Sequence, residues 1–397
     1  MSLRRWGALV SIVGLCGTLM AAAPVGAASS GSDVDDLPVA FTVVNKNDSK
    51  LSCDSDGRGY VVHGHLVGRR SDLAAASTNR VVTLLLSGWD EGEWTWRFQS
   101  EPGYDFARKM AALGHVSVSI DMVGYDSSGH PAGSQVCWGS QADMTHQIVQ
   151  RLRNGTYAAT GLERAVSFTT VLVSGHDVGP LAALIDSYTW NDIDGILSQV
   201  IAHQGFTPYI LDIFARRNVQ CLQGGEGVDD PKDNLTPGGE YIFYGPPDEQ
   251  FRGDLFLERE RATGHGGADP RVIDDVLALR NRNPCGMVLS TASAFLTDSN
   301  NMAKVTVPVL LVFPGPDDPV IDRRGQESEA ANYGSNDVTT AWLDSGHFMM
   351  LEYCADDFVR LTAHWIHEHW AIGRAVPMPA VGPHACVTEV RVKDSAS

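Results

Sequence analysis

Three residues stand where their neighbours would deliver them for bond-making. Asp177 lies at the centre of "LVSGHDVGPLAAL", between Gly175 and Gly179. An apolar run precedes it and apolar residues at helical spacing follow, so the stretch reads as a strand, a tight turn and a helix. Glycines flank such a turn because its close backbone contacts leave no room for a side chain. A carboxylate lifted out of a sheet onto a helix N-terminus is held ionised by free amides and the helix dipole. In a dry pocket that strips its water shell, it becomes a usable nucleophile. His347 follows a strand and the turn Ser345-Gly346, where a general base would be delivered. Asp317 and Asp318 lie just past Gly315, and either would hold the imidazole tautomer.

These residues need a scaffold to converge. "GYVVHGHLVG", "RVVTLLLSGW", "HVSVSIDMVG", "FTTVLVSG" and "GILSQVIAHQ" read as strands, the fourth with the near-continuous apolar run of a strand covered on both faces. "YDFARKMAALG" and "CWGSQADMTHQIVQRLRNG" read as helices stopped at Gly114 and at Asn154-Gly155. From about Phe206 to Lys304 the alternation stops, and the chain becomes rich in Gly, Pro and charge with one clear helical piece, "PRVIDDVLALRNRNPCG". A stretch of that length predicts an inserted subdomain rather than a loop. Alternation resumes with "VPVLLVFPG", a polar helix, "VTTAWLDSGH" and a final helix with Phe358, Leu361 and Trp365 on one stripe. Strand-helix repetition on both sides of one insertion predicts an α/β class protein, a mostly parallel sheet with helices on both faces. The expected organisation is a signal peptide (1–28), an N-terminal linker (29–58), core (59–205), lid (206–304), core again (305–373) and a C-terminal tail (374–397).

The 397 residues are 43% hydrophobic and 20% charged, enough apolar material for a large core. A formal net charge of -18 without a long basic run argues against a nucleic-acid partner. Arg4 and Arg5, the apolar "WGALVSIVGLCGTLMAAA" and the small residues at Val25-Gly26-Ala27 predict a cleaved export signal. The paired arginines permit the twin-arginine route, and the expected product is secreted, with no stable membrane anchor. Cleavage leaves Cys53, Cys137, Cys221, Cys285, Cys354 and Cys386, an even set that predicts three disulfides. Cys221 is expected to pair with Cys285, since both lie in the inserted segment. No C-x-x-C pair occurs and "HWIHEH" lacks the H-E-x-x-H spacing, so neither metal nor cofactor is expected. Oligomeric state carries no signature in the sequence.

With its motifs in this order, the chain resembles an α/β-hydrolase over roughly Tyr60 to Trp370. "GHDVG" is similar to the aspartate-nucleophile branch, which includes epoxide hydrolases and haloalkane dehalogenases; "LLLSGWDE", "DMVGYDSSGHP", "VPVLLVFPGPDDPV" and "SGHFMMLE" match in order and spacing. The resemblance implies Asp177 as nucleophile, His347 as base and Asp318 as the acid behind it, because the family's acid directly precedes a proline, here Pro319. It also implies an oxyanion hole from the backbone amides of Trp89 and Val178. Ser87 is a departure, standing where the superfamily often has histidine.

Attack by Asp177 on saturated carbon gives an alkyl ester that water activated by His347 would cleave, with the oxyanion hole taking the charge. Attack on a carboxylic ester would give a strained anhydride instead. Haloalkane dehalogenases typically carry tryptophan directly after the nucleophile, and Val178 here counts against that chemistry. Epoxide opening needs an acid near the oxygen, commonly a lid tyrosine, and Tyr209, Tyr241 and Tyr244 are the candidates. The expected function is hydrolysis of a small-molecule epoxide or similar sp³ electrophile. The alternatives are an esterase or lactonase that drives water with His347, a haloalkane dehalogenase, and an inactive binding protein on the same scaffold.

Overall fold

The computed structural model describes residues 33–393 apart from 75–76, 79, 226–239, 247–252, 254, 258–265 and 316–317. The expected signal peptide and Asp317 lie outside the described residues. Ten strands form one sheet: β1 (Val34–Val44), β2 (Gly59–Arg69), β3 (Val81–Leu86), β4 (Val116–Ile120), β5 (Ala158–Ala159), β6 (Thr170–His176), β7 (Gly195–Gln199), β10 (Val309–Phe313), β11 (Val338–Leu343) and β12 (Val387–Val392). A separate two-stranded ladder pairs β8 (Tyr241–Ile242) with β9 (Asn283–Pro284). The large sheet runs β12-β11-β10-β7-β6-β3-β4-β2-β1-β5.

From β4 to β11 every neighbouring pair is parallel. These strands are buried along almost their whole length, which is why they read as unbroken apolar runs such as "VVTLLL" and "VLLVF". Helices Trp138–Asn154 and Pro180–Trp190 cover one face, with Trp138, Ile148, Leu181 and Ile185 in its core. Helices Phe106–Ala112 and Ala355–Trp370 cover the other, where Phe106, Phe358, Leu361 and Trp365 pack.

Two expectations are corrected at the edges. Residues 29–58, read as a linker, contain β1, which pairs antiparallel with β2 along its full length. Val39, Phe41 and Val43 alternate into the core, a period of two obscured in sequence by Asp35, Asp36 and Pro38. Residues 374–397, read as a tail, contain β12, which extends the sheet antiparallel to β11. Cys386 at its start is bonded to Cys354, so the strand is tied to the final helix.

Among the described residues, the long connection from β7 to β10 contains the three α-helices Pro208–Leu222, Pro270–Leu279 and Cys285–Asn301, where sequence had indicated only the middle one. The last holds Gly286 in its first turn because a side chain there would strike the carbonyl of Val136 at 2.4 Å. The expected Cys221–Cys285 bond joins two of these helices, and Cys53–Cys137 ties the loop after β1 to the start of helix Trp138–Asn154. Among the described residues no helix is long and apolar enough to cross a membrane.

Candidate active site

β6 ends at His176 and the chain turns at Asp177 with φ of 51°, a left-handed conformation that costs a residue other than glycine about 1 kcal/mol or more. The turn is enforced by crowding. A Cβ on Gly88 would lie 2.4 Å from the Cβ of Asp177, and one on Gly175 would lie 2.5 Å from the nitrogen of Pro180. A Cβ on Gly179 would meet the carbonyls of His176 and Ser87 at 2.9 Å. Helix Pro180–Trp190 starts directly behind, so its N-terminus backs the carboxylate. Ser174, earlier on β6, is buried beside Gln199 and takes no part.

The two oxygens of Asp177 have different partners. Oδ2 accepts the backbone N–H of Trp89 at 2.9 Å, and Oδ1 lies 3.5 Å from Nε2 of His347. The other ring nitrogen of His347, Nδ1, lies 3.8 Å from Oδ1 of Asp318, an ion-pair distance longer than a hydrogen bond. Asp318 is in turn fixed by the amides of Val320 and Ile321, each at 3.2 Å. Burial pulls the His347 imidazole down, but Asp177 and Asp318 pull harder and push it up to about 10. Burial raises the Asp177 carboxyl, yet His347 and the Trp89 amide hold it below its ordinary value. Both shifts favour a carboxylate facing an imidazolium.

Two residues around this pair carried no role in the sequence reading. His176 is fully buried, with Nδ1 2.6 Å from Oε1 of Glu91 and Nε2 2.8 Å from the backbone carbonyl of His347. Glu91 also accepts the amide of Gly88 at 3.0 Å. Both residues sit inside quoted motifs, "GHDVG" and "LLLSGWDE", and a histidine directly before the turn residue Asp177 is the signal that would have found them. Ser87 donates to the carbonyl of Gly92 at 2.7 Å, so the loop after β3 keeps local support without the usual histidine.

In sequence the chain matches no family model and no curated protein. In structure it is similar to an enol-lactonase from Burkholderia xenovorans LB400, with a TM-score of 0.53, 14% identity and coverage of 77% of this chain and 96% of that one. It is also similar to the esterase EaEST from Exiguobacterium antarcticum, with a TM-score of 0.52, 15% identity and coverage of 78% and 96%. The chain has the α/β-hydrolase fold.

In this fold the turn after the central strand faces the loops at the carboxyl ends of its neighbours, where ligands of open parallel sheets bind. An apolar cavity of about 280 Å³ opens there over Asp177, walled by Trp89, Val178, Phe206, Ile210, Phe214 and Phe295. Leu211, a residue 51% exposed, also lines it. A smaller space of about 40 Å³ borders Asp177, His347, Tyr209 and Tyr244, enough to hold water.

The three candidate tyrosines separate. Tyr244 lines both spaces and stacks on Trp89, ring centroids 4.6 Å apart. Burial, with Asp177 adding to it, pushes its phenol well above the ordinary value, so it stays protonated. Tyr209 lines the smaller space. Tyr241 is corrected: it borders neither, and its hydroxyl donates to the carbonyl of Pro131 at 2.8 Å. Tyr244 owes its position to Asp90, next to Trp89, whose buried carboxylate accepts the amides of Tyr244 and Gly245 and the guanidinium of Arg280, each at 2.7 Å. Asn283 also donates to it.

Proposed function

We propose that this protein is an exported hydrolase in which Asp177 attacks an epoxide or similar sp³ electrophile and forms an alkyl-enzyme ester. The observation that carries the reading is the split partnering of the Asp177 carboxylate, with Oδ2 on the Trp89 amide and Oδ1 beside His347, in a residue that lines the cavity.

Oδ1 attacks a ring carbon, the carbon–oxygen bond of the epoxide breaks, and Tyr244 donates its proton to the alkoxide. His347, protonated at rest, returns a proton to Tyr244 and becomes neutral. This timing follows from charge: once Asp177 is esterified, one of the two carboxylates that hold His347 protonated is gone. Neutral His347 then takes a proton from water in the smaller space, and the hydroxide adds to the ester carbon. Oδ2 becomes the oxyanion and already rests on the Trp89 amide, with the Val178 amide as second donor. Collapse releases the diol, protonated by His347, and the new carboxylic acid of Asp177 gives its proton to His347. The ion pair is restored and one water has been added to one epoxide.

An esterase or lactonase driven by His347 alone would leave the Asp177 carboxylate, turned toward His347 at the floor of the cavity, without a chemical task. The apolar cavity suits an uncharged substrate. Three disulfides and the apolar N-terminal segment support export.

The test is the His347→Gln variant incubated with epoxides, alkyl halides and activated esters, then read by intact mass and peptide mapping. An adduct of epoxide mass on the peptide containing Asp177 is expected. Wild-type cleavage of an ester, with no adduct from any epoxide or halide, would overturn the reading.

A further inference from the structure

The helix behind the catalytic turn carries a second buried carboxylate. Asp186, in the middle of Pro180–Trp190, is fully buried, and neither of its oxygens meets a donor group; what it faces within hydrogen-bonding reach is the carboxylate of Asp192. It sits with His146, on helix Trp138–Asn154, and Asp192, just past the left-handed cap Asn191; one donor atom from each of the three lies within 4.8 Å of the others. The Asp192 Oδ1 atom is likewise buried without a hydrogen bond, while its Oδ2 lies 2.8 Å from Nδ1 of His146 and also accepts from Gln150. The His146 ring is stacked on Trp190, centroids 4.5 Å apart and 13° between planes, so its direction is set.

Two carboxylates meeting out of water repel unless a proton or a cation sits between them. The neighbouring cation, Arg153, is committed elsewhere: it pairs with Asp194 at 2.6 Å and donates to the carbonyls of Thr169 and Asp192. Asp143, on the same helix as His146, adds negative charge, but its oxygens accept from Gln147 and the amide of Asp48. One imidazole and two carboxylates form a mixed nitrogen–oxygen set, which suits zinc and its neighbours; calcium and magnesium prefer oxygen alone. His146 and Asp192 are partly exposed, which gives an ion a path in.

We propose that His146, Asp186 and Asp192 bind one divalent ion of the zinc class at a structural site, with water in the fourth position. The ion clips the two helices that cover one face of the sheet and fixes the loop after the second. Sequence inspection passes over the set because its members come from separate elements, 46 residues apart for His146 and Asp192.

The test uses the full disulfide-bonded chain, stripped with EDTA and titrated with zinc chloride by calorimetry, with melting followed in parallel. Wild type is expected to bind one zinc per chain with micromolar or tighter affinity and to melt several degrees higher for it. Asp186→Asn removes the repulsion, so without metal it melts at or above wild type, yet its zinc affinity falls at least ~100-fold. His146→Gln loses zinc comparably without changing the carboxylates. Two outcomes overturn the site. Equal zinc binding by wild type and Asp186→Asn assigns the metal to surface histidines. No zinc response, with Asp186→Asn melting below wild type, means the carboxyls share a proton instead.

Discussion

His176 Nε2 donates to the backbone carbonyl of His347 at 2.8 Å while its Nδ1 faces Glu91 at 2.6 Å. A carbonyl oxygen can only accept, so Nε2 is the donor in the first contact. The residue before Asp177 thus holds the peptide of His347. In the proposed cycle His347 acts as a base only after the ester has formed, so loosening it should damage the second half-reaction more than the first. His176→Asn is expected to lower turnover about 100-fold, the scale of a roughly 1 Å misplacement. Under single turnover the alkyl-enzyme should accumulate, because its hydrolysis slows more than its formation. Equal slowing of the two steps would remove His176 from the positioning of the base.

The ion pair also sets a pH signature. The folded value of His347, about 10, lies above its ordinary 6.5, so its stabilisation is complete below pH 6.5, declines above it, and is gone once pH has risen through about 10. Asp177 is displaced downward, so its contribution holds above its ordinary value of 3.8 and is lost as pH falls through its folded value. The stability difference between wild type and His347→Gln, from denaturant melts, should therefore shrink from neutral to alkaline pH. Ester formation in single-turnover mass spectrometry should show no inflection near 6.5. A step there would mean that His347 is neutral at rest.

Tyr244 and Tyr241 offer a paired test of the acid. Tyr244→Phe removes the proton source for the alkoxide and should cut epoxide turnover by about 100-fold or more. Adduct formation from an alkyl halide, which leaves as an anion needing no proton, should change far less. Tyr241→Phe loses a hydrogen bond to Pro131 and should cost about 1 kcal/mol of stability with kcat unaltered. Equal loss on epoxide and halide in Tyr244→Phe would assign this phenol to packing.

Gly88 is a steric requirement for the nucleophile. An added methyl would lie 2.7 Å from Oδ2 of Asp177 as well as against its Cβ, so Gly88→Ala must push the carboxylate off the Trp89 amide. We expect at least ~100-fold loss of kcat and a stability loss of about 1–3 kcal/mol, the range for overpacking. Wild-type kcat in a folded Gly88→Ala protein would show that the elbow has slack.

The parallel strands and the glycine elbow were legible because each depends on local sequence, an apolar run or a crowded turn; the placing of Asp318 and His347 just past strands was legible too, though the preference for Asp318 over Asp317 came from the family resemblance. β1 was not, because Asp35, Asp36 and Pro38 mask its alternation, and its partner β2 supplies the register from outside. Helix Cys285–Asn301 is poor in strong helix formers and is held by packing of Gly286 on the turn at Val136. Tyr241 and Tyr244 are almost adjacent in sequence, yet one hydroxyl is spent on Pro131 and the other residue is drawn to the site through Asp90. The buried pair His176 and Glu91 lies in plain view, but its meaning depends on a contact with a carbonyl on a distant loop.

Asp90 binds the Tyr244–Gly245 peptide and Arg280 directly beside Trp89, so one wall of the cavity and the amide that receives charge form a single bracket. Leu211 lines the same cavity but is half exposed, and no hydrogen bond from its side chain reaches that bracket. The molecule therefore separates selection from reaction. Changes around Leu211 alter which compounds are admitted while the bond-breaking apparatus stays as it was, and this is the side on which a new diet can be acquired one residue at a time.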